Sequence, residues 1–213
     1  IHAAKYAAKA DKQLIGVNVG RLGFAADVEP HEYEQLERLI TGDYTTEERI
    51  LLDVEVIKED GSKHYLAVND AVVARGQLSK TIDLHLTLDG DEISKYRADG
   101  LLFATPTGST AYSLSAGGPI LAPKMECILM TPVCPHSLFS RSVLFSGESE
   151  LSVHVKIPEE CCCVLTIDGE KNVPVLATDR VVIRKSDLKL KLALLHNRNF
   201  YKLLNEKLKE RDF

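Results

Sequence analysis

From Arg49 onward the chain alternates. Leu52, Val54 and Val56 are separated by Asp53 and Glu55, and Ile82, Leu84, Leu86 and Leu88 by Asp83, His85 and Thr87. A period of two places successive side chains on opposite faces, so each run predicts a half-buried strand. Glu59-Asp60-Gly61-Ser62 and Asp89-Gly90 follow as hairpin turns, with Tyr65–Ala74 and Ile93–Arg97 returning as strands. Met125–Val133, Leu151–Ile157, Cys162–Ile167 and Val181–Lys185 predict four more, and Asp168-Gly169-Glu170 another hairpin turn. Many short strands joined by turn residues predict a β-sandwich or a similar multi-sheet body.

The two ends have a different period. Ile1–Ala10 is alanine-rich and helical, with no capping residue before it. Asp11-Lys12-Gln13 turns the chain into Leu14–Val19, a buried-strand pattern. A helix followed by a strand is the tail of an α/β unit, whose first strand is expected ahead of Ile1. His31–Ile40 carries Tyr33, Leu36, Leu39 and Ile40 at helical spacing and is closed by Gly42, which predicts a connector helix. Asn197–Lys209 predicts a terminal helix with Phe200, Leu203, Leu204 and Leu208 on one face, packing back on the α/β part. The fold class is therefore α+β: the remnant of an α/β nucleotide domain plus a β-sandwich-like domain. Residues 1–42 form the end of the first domain and the connector, 43–190 the β-rich domain, and 191–213 the returning segment.

Residues 98–119 fit neither period. Leu101–Ala104 has the length of a buried strand; Pro106 and Gly108 then break regular structure, among the hydroxyls of Thr105, Thr107, Ser109 and Thr110. Ala111, Leu114 and Ala116 continue as a short helix, stopped by Gly117-Gly118-Pro119. Such a corner offers backbone N–H groups, hydroxyls and a helix dipole to a ligand with phosphates, ribose or a purine edge. The other reading is a plain helix cap by Ser109 or Thr110. Asn69-Asp70 interrupts the apolar run Leu66–Ala74. Two buried polar groups there would cost roughly 1–3 kcal/mol each unless hydrogen-bonded, so the pair marks either a binding position or a strand end or bulge.

Composition narrows the function. A net charge of -5 leaves no basic excess to neutralise nucleic-acid phosphates, and no apolar run reaches membrane-spanning length or resembles a signal peptide. The expectation is a cytoplasmic protein without nucleic-acid or membrane partners. Of five cysteines, Cys161, Cys162 and Cys163 are consecutive, which suits neither a disulfide set nor a C-x-x-C metal site. They read as buried or half-buried thiols in a reducing compartment, as do Cys127 and Cys134. No histidine outside His2 and His136 has a carboxylate or cysteine at metal spacing, so no protein-built metal site is expected. There is no G-x-S-x-G elbow for hydrolase chemistry.

Asp99-Gly100 with Thr105–Tyr112 and Gly117-Gly118-Pro119 resembles the central motif of the NAD kinase family. Gly16–Phe24, Ala67–Asp70 and Pro135–Leu138 are similar to further family stretches in the right order, so the resemblance covers nearly the whole chain. It implies transfer of the γ-phosphoryl of ATP, or of a polyphosphate, to the 2′-hydroxyl of the adenosine ribose of NAD, giving NADP. Mg²⁺ would act without a protein cage.

By the same resemblance Thr107, Thr110, Ala111, Tyr112, Ser113, Leu114 and Ser115 surround the adenosine, and Asn69 and Asp70 grip its ribose. The family usually has Asn-Glu at that pair; Asp70 is one methylene shorter. Leu22, Gly23 and Phe24 line the pocket, with the small Ala25 next. Asp99 meets the nicotinamide-ribose half from a neighbouring subunit, supported by Arg97; the plain alternative is a surface ion pair between these two. Lys80 contacts phosphate or ribose, Glu170 stands where the family often has glutamine, and His2 lies near the phosphates. His136 is a core residue, a subunit contact or a ligand contact. The family's essential aspartate sits in a Gly-Gly-Asp-Gly-Thr segment just ahead of the first helix. No such segment occurs in residues 1–213, so it is expected before Ile1 and the isolated chain is expected to be inactive. The alternative function is a non-catalytic NAD-binding or oligomer-forming module. A homodimer or homotetramer built through the β-rich part is expected.

Overall fold

The computed structural model describes residues 1–19, 26–76, 81–137, 140–156, 163–196 and 198–209. The chain divides into two compact units: residues 2–49 with 189–213, and residues 50–188 together with Ile1.

In the first unit, α1 (His2–Lys9) buries Ala4 and Ala8, the two small residues that a helix can press closely against a neighbour. The strand anticipated at Leu14–Val19 is reduced to β1 (Gln13–Leu14), parallel to residues 191–192, and an isolated bridge between Val17 and Val28. Gly16 and Asn18 spend their hydrogen bonds on residues 27 and 28 instead of on a continuing ladder. The connector is also shorter than expected. Pro30–Glu37 is a 3₁₀ segment broken at Glu32, and only α2 (Arg38–Thr41) is α-helical before Gly42 turns left-handed at φ +75°. None of its residues is buried, and a helix without a packed face is marginal.

The unit 50–188 is a sandwich of two sheets. β2 (Thr45–Lys58), β3 (Gly61–Ala67), β5 (Ile82–Leu88), β6 (Asp91–Ala98), β10 (Leu151–Lys156) and β13 (Arg180–Leu194) form the first sheet, in the order β3-β2-β13-β10-β5-β6 with β1 beside β13. β4 (Asp70–Arg75), β7 (Gly100–Ala104), β8 (Cys127–Val133), β9 (Val143–Ser146), β11 (Cys163–Ile167) and β12 (Lys171–Val175) form the second, in the order β12-β11-β4-β7-β8-β9. The pairs β2–β3, β5–β6, β5–β10, β10–β13, β4–β7, β4–β11, β7–β8, β8–β9 and β11–β12 are antiparallel. Alternate residues of both sheets, among them Val54, Leu84, Leu86, Val153, Val73, Phe103 and Met130, form one buried core between them. On the outer face of the second sheet Val72, Leu102, Ala104 and Leu129 are buried in a second cluster with Leu121. β7 is thus buried on both faces, which explains its unbroken apolar run.

The single strand expected over Tyr65–Ala74 is two strands. β3 ends in the first sheet at Ala67 and β4 begins in the second at Asp70, so the chain changes sheets at Val68–Asn69. It changes sheets again at Asp99, between β6 and β7. β9 and β12 were not anticipated. β12 contains Pro174 and lies at a sheet edge, where a missing N–H is tolerated. Cys163 and Cys127 are buried, but Cys134 is exposed, contrary to expectation, and Cys161 and Cys162 lie outside the described residues. In the first unit α4 (Phe200–Lys209) closes the chain; Asn199 accepts hydrogen bonds from the N–H groups of Tyr201 (3.0 Å) and Lys202 (3.3 Å). No helix among the described residues is long and apolar enough to cross a membrane.

Phe103→Ala empties the centre of the sandwich and is expected to destabilise it by about 3–5 kcal/mol in urea unfolding. Leu144→Ala, at a half-exposed position of β9, should change stability by less than about 1 kcal/mol; equal effects would contradict the described burial. Burial pushes the Cys163 thiol up to about 12, so at pH 8 it carries almost no thiolate. Iodoacetamide at that pH, followed by peptide mass spectrometry, should modify Cys134 and spare Cys163 until the protein unfolds.

Candidate functional site

β7 leads from the core straight into the hydroxyl-rich loop, and the loop is braced by its own side chains. Thr105 donates its hydroxyl to the Val68 carbonyl (2.7 Å) and accepts from the Gly108 N–H (3.0 Å), while its own N–H donates to the Asn69 carbonyl (2.9 Å). Ser109 donates to the Pro106 carbonyl (2.7 Å) and accepts from the Leu121 N–H (3.0 Å). Thr110 donates to the Thr107 carbonyl (3.2 Å). Three of the four hydroxyls therefore hold the loop in shape. Among the described residues the half-buried Thr107 hydroxyl makes no such bond.

These hydroxyls are not a helix cap. A 3₁₀ turn at Gly108–Thr110 passes through Ala111 (φ −97°, ψ −127°) into α3 (Tyr112–Ser115), and no side chain caps α3. With four residues α3 contributes little dipole, so backbone position and side chains decide what this corner binds. Ser113 is buried, its hydroxyl 3.1 Å from that of Thr131, which in turn lies 3.1 Å from that of Ser142. A Cβ at Gly118 would lie 2.3 Å from the Ser113 Oγ, so this glycine lets the chain return past α3.

Asn69 and Asp70 stand beside the loop, where the chain changes sheets. A backbone leaving one ladder for another must find partners for its N–H groups. Here the Asp168 carboxylate supplies them, accepting from Val68 (3.1 and 3.0 Å), Asn69 (2.7 Å) and Asp70 (3.1 Å). The Asp168 N–H donates back to the Asp70 carbonyl (2.9 Å). Asp168 adopts φ +50°, a conformation that aspartate tolerates better than most side chains. From the other side Gly108 packs so closely that a Cβ would lie 2.0 Å from the Asn69 carbonyl oxygen. The Asn69 carboxamide, held on this clamped backbone, is half-buried and makes no hydrogen bond to another described residue. Asp70 is buried.

The fold thus brings Asn69, Asp70 and Thr107–Ser115 to one corner. Within that set Thr110 and Ser113 turn their hydroxyls into the protein, whereas Tyr112 and Ser115 are exposed. Arg97 and Asp99 do not pair with each other. Asp99 binds Arg75 (2.8 Å), and Arg97 binds Asp83 through two bonds of 2.8 and 3.1 Å, holding the Asp83 carboxyl below its ordinary value. Asp99 also precedes β7, whereas Asn69 flanks its far end; six residue steps along the strand separate them by about 20 Å. Glu170 is exposed in the β11–β12 turn, two residues after Asp168. His2 belongs to the other unit, with its ring edge-on to Tyr6 at 5.2 Å. Leu22, Gly23, Phe24 and Lys80 lie outside the described residues. The sequence marks Asp168 only as a turn residue, because the N–H groups it meets are about a hundred positions away in the chain. No group of three or more His, Cys, Asp or Glu side chains among the described residues could hold a metal ion.

A two-sheet β-sandwich with a braced polar corner at the end of a doubly buried strand defines a domain of the α+β class. Residues 68–195 match the family described as ATP-NAD kinase C-terminal domain. The chain is 40% identical over 210 residues to an NAD kinase of Natranaerobius thermophilus, covering 98% of this chain and 73% of the relative. It is 41% identical over 199 residues to one from Magnetococcus marinus, covering 92% of this chain and 65% of that one. Two solved structures are similar: yeast NADH kinase complexed with NADH (TM-score 0.83, 29% identity, 93% of this chain and 59% of that chain) and an Archaeoglobus fulgidus NAD kinase in complex with ATP (TM-score 0.77, 27% identity, 92% and 74%). The chain belongs to the NAD kinase family.

Gly108→Ala forces a methyl group against the Asn69 backbone. It is expected to destabilise the protein by about 1–3 kcal/mol and to lower its melting temperature in scanning calorimetry; an unchanged melting temperature would show that the two backbones do not approach this closely.

Proposed function

We propose that this chain carries the NAD-binding part of an NAD kinase, a phosphotransferase that converts NAD to NADP by phosphorylating the 2′-hydroxyl of the adenosine ribose with ATP. The observation that carries the reading is the clamped corner: Asn69 presents an unengaged carboxamide beside a braced loop with Thr107 and Tyr112 at its surface. In this reading Asn69 and Asp70 hold the ribose whose hydroxyl attacks, and Tyr112 lies against the adenosine. The loop loses little further freedom on binding, because its hydroxyls are already committed. Phosphoryl transfer depends chiefly on positioning and on neutralising phosphate charge. The residues described here supply positioning, and none is assigned the carboxylate that activates the acceptor.

In the same reading that carboxylate belongs to the family's Gly-Gly-Asp-Gly-Thr segment, which residues 1–213 do not contain. Mg²⁺ belongs with the donor phosphates, and no described residue is assigned to it. Asp99, far from Asn69 along β7, serves the ligand of a neighbouring copy in a homo-oligomer formed through the β-rich part. His2, Leu22, Gly23, Phe24, Lys80 and Glu170 complete the NAD contacts, and the protein works in the cytoplasm. The non-catalytic module is disfavoured, since the matched relatives named NAD kinase align with almost the whole chain.

The test is a coupled assay of NADP formation by the intact protein with ATP and Mg²⁺. Asn69→Ala and Tyr112→Ala should each raise the KM for NAD about tenfold, the loss of roughly 1.4 kcal/mol of binding. Absence of NADP formation by the wild type overturns the assignment.

A further inference from the structure

We infer that Asp168 is a positioning residue of the nucleotide site, acting through Asn69 and Asp70; the inference rests on the functional reading above. Its carboxylate is the acceptor for three consecutive N–H groups, of which the second and third belong to the residues assigned to the ribose. The shortest of these bonds, 2.7 Å, goes to Asn69. Charge-assisted bonds from backbone N–H to carboxylate are among the strongest a protein makes. The turn is shaped for the purpose: Asp168 at φ +50° and Gly169 at φ +69° are both left-handed, and the Asp168 N–H returns a bond to the Asp70 carbonyl.

An ordinary structural turn would brace strands wherever they happened to meet. This one braces the residue whose carboxamide is unengaged and whose opposite side rests on Gly108. Loss of the carboxylate frees the N–H groups of residues 68–70 from their acceptor. The Asn69 backbone then shifts toward or away from the loop, and its carboxamide leaves the position where it meets the ribose. A displacement of about 1 Å at such a site can cost up to about a hundredfold. Asparagine at 168 keeps one acceptor oxygen but turns an NH₂ group toward some of the same N–H donors, so it restores the clamp in part.

The experiment uses the intact protein with Asp168→Asn, Asp168→Ala, Asn69→Ala and the double variant of Asn69→Ala with Asp168→Asn. It measures the Kd for NAD by calorimetry, and the kcat and both KM values for NADP formation. Asp168→Asn should weaken NAD binding about tenfold, with the KM for ATP unchanged, and Asp168→Ala should weaken it more. The double variant should bind NAD more tightly than the two single losses multiplied together, since part of the Asp168 effect passes through Asn69 and only the part through Asp70 remains. Additive losses, or a parallel rise in both KM values, would mean that Asp168 only supports the fold and would overturn the inference. Asp168→Asn keeps the test readable if Asp168→Ala does not fold. Wild-type protein that binds NAD, with Asp168→Asn binding it equally well, overturns this inference alone; wild-type protein that binds no NAD overturns the functional reading and this one with it.

Discussion

A chain that passes from one sheet to another must give up its ladder hydrogen bonds, and at Val68–Asn69 a single carboxylate replaces them. Asp168 takes the three N–H groups that the crossing exposes, and Thr105 and Gly108 close on the Asn69 carbonyl from the loop side. The tight connection between β3 and β4 depends on this contact, and so does the placement of Asn69. The polar corner is therefore not a loop laid over a finished scaffold. It is the junction of the two sheets, and a change that loosens one loosens the other.

The hydroxyl-rich loop follows the same economy of motion. A loop whose hydroxyls all waited for a ligand would be mobile and would lose that freedom on binding. Thr105, Ser109 and Thr110 instead bond to backbone groups within or beside the loop, and Ser113 joins a buried pair of hydroxyls with Thr131. Among the described residues of this corner, the groups not consumed in holding it include the Asn69 carboxamide, the Thr107 hydroxyl and the exposed side chains of Tyr112 and Ser115. Pre-organisation of this kind raises affinity by lowering the entropy lost on association. It also suits a phosphotransferase, in which the attacking hydroxyl has to be held in line with a phosphoryl group.

Much of this molecule was legible in the order of its residues, because local rules suffice wherever structure is local. Period-two runs marked β2 and β5 correctly, since alternation reports one buried face whatever lies opposite. Asp89-Gly90 marked its hairpin, both residues being left-handed as a two-residue turn requires. The family motifs identified the chain, and the position of Asn69-Asp70 at a strand boundary was one of the readings left open. What the residues could not reveal depended on distant partners. Whether Arg97 meets Asp99 or Asp83 is set by the register of β5 against β6. Whether a threonine faces a ligand or a carbonyl is set by where the Val68 backbone passes, and the jump of the chain between sheets is set by a carboxylate a hundred positions away. Sequence alone determined the elements and the family, because periodicity, turn chemistry and motif are local properties. Only the tertiary structure decided which polar groups were consumed in holding the corner and which were left unengaged, because each hydrogen bond goes to the group that folding brings within about 3 Å.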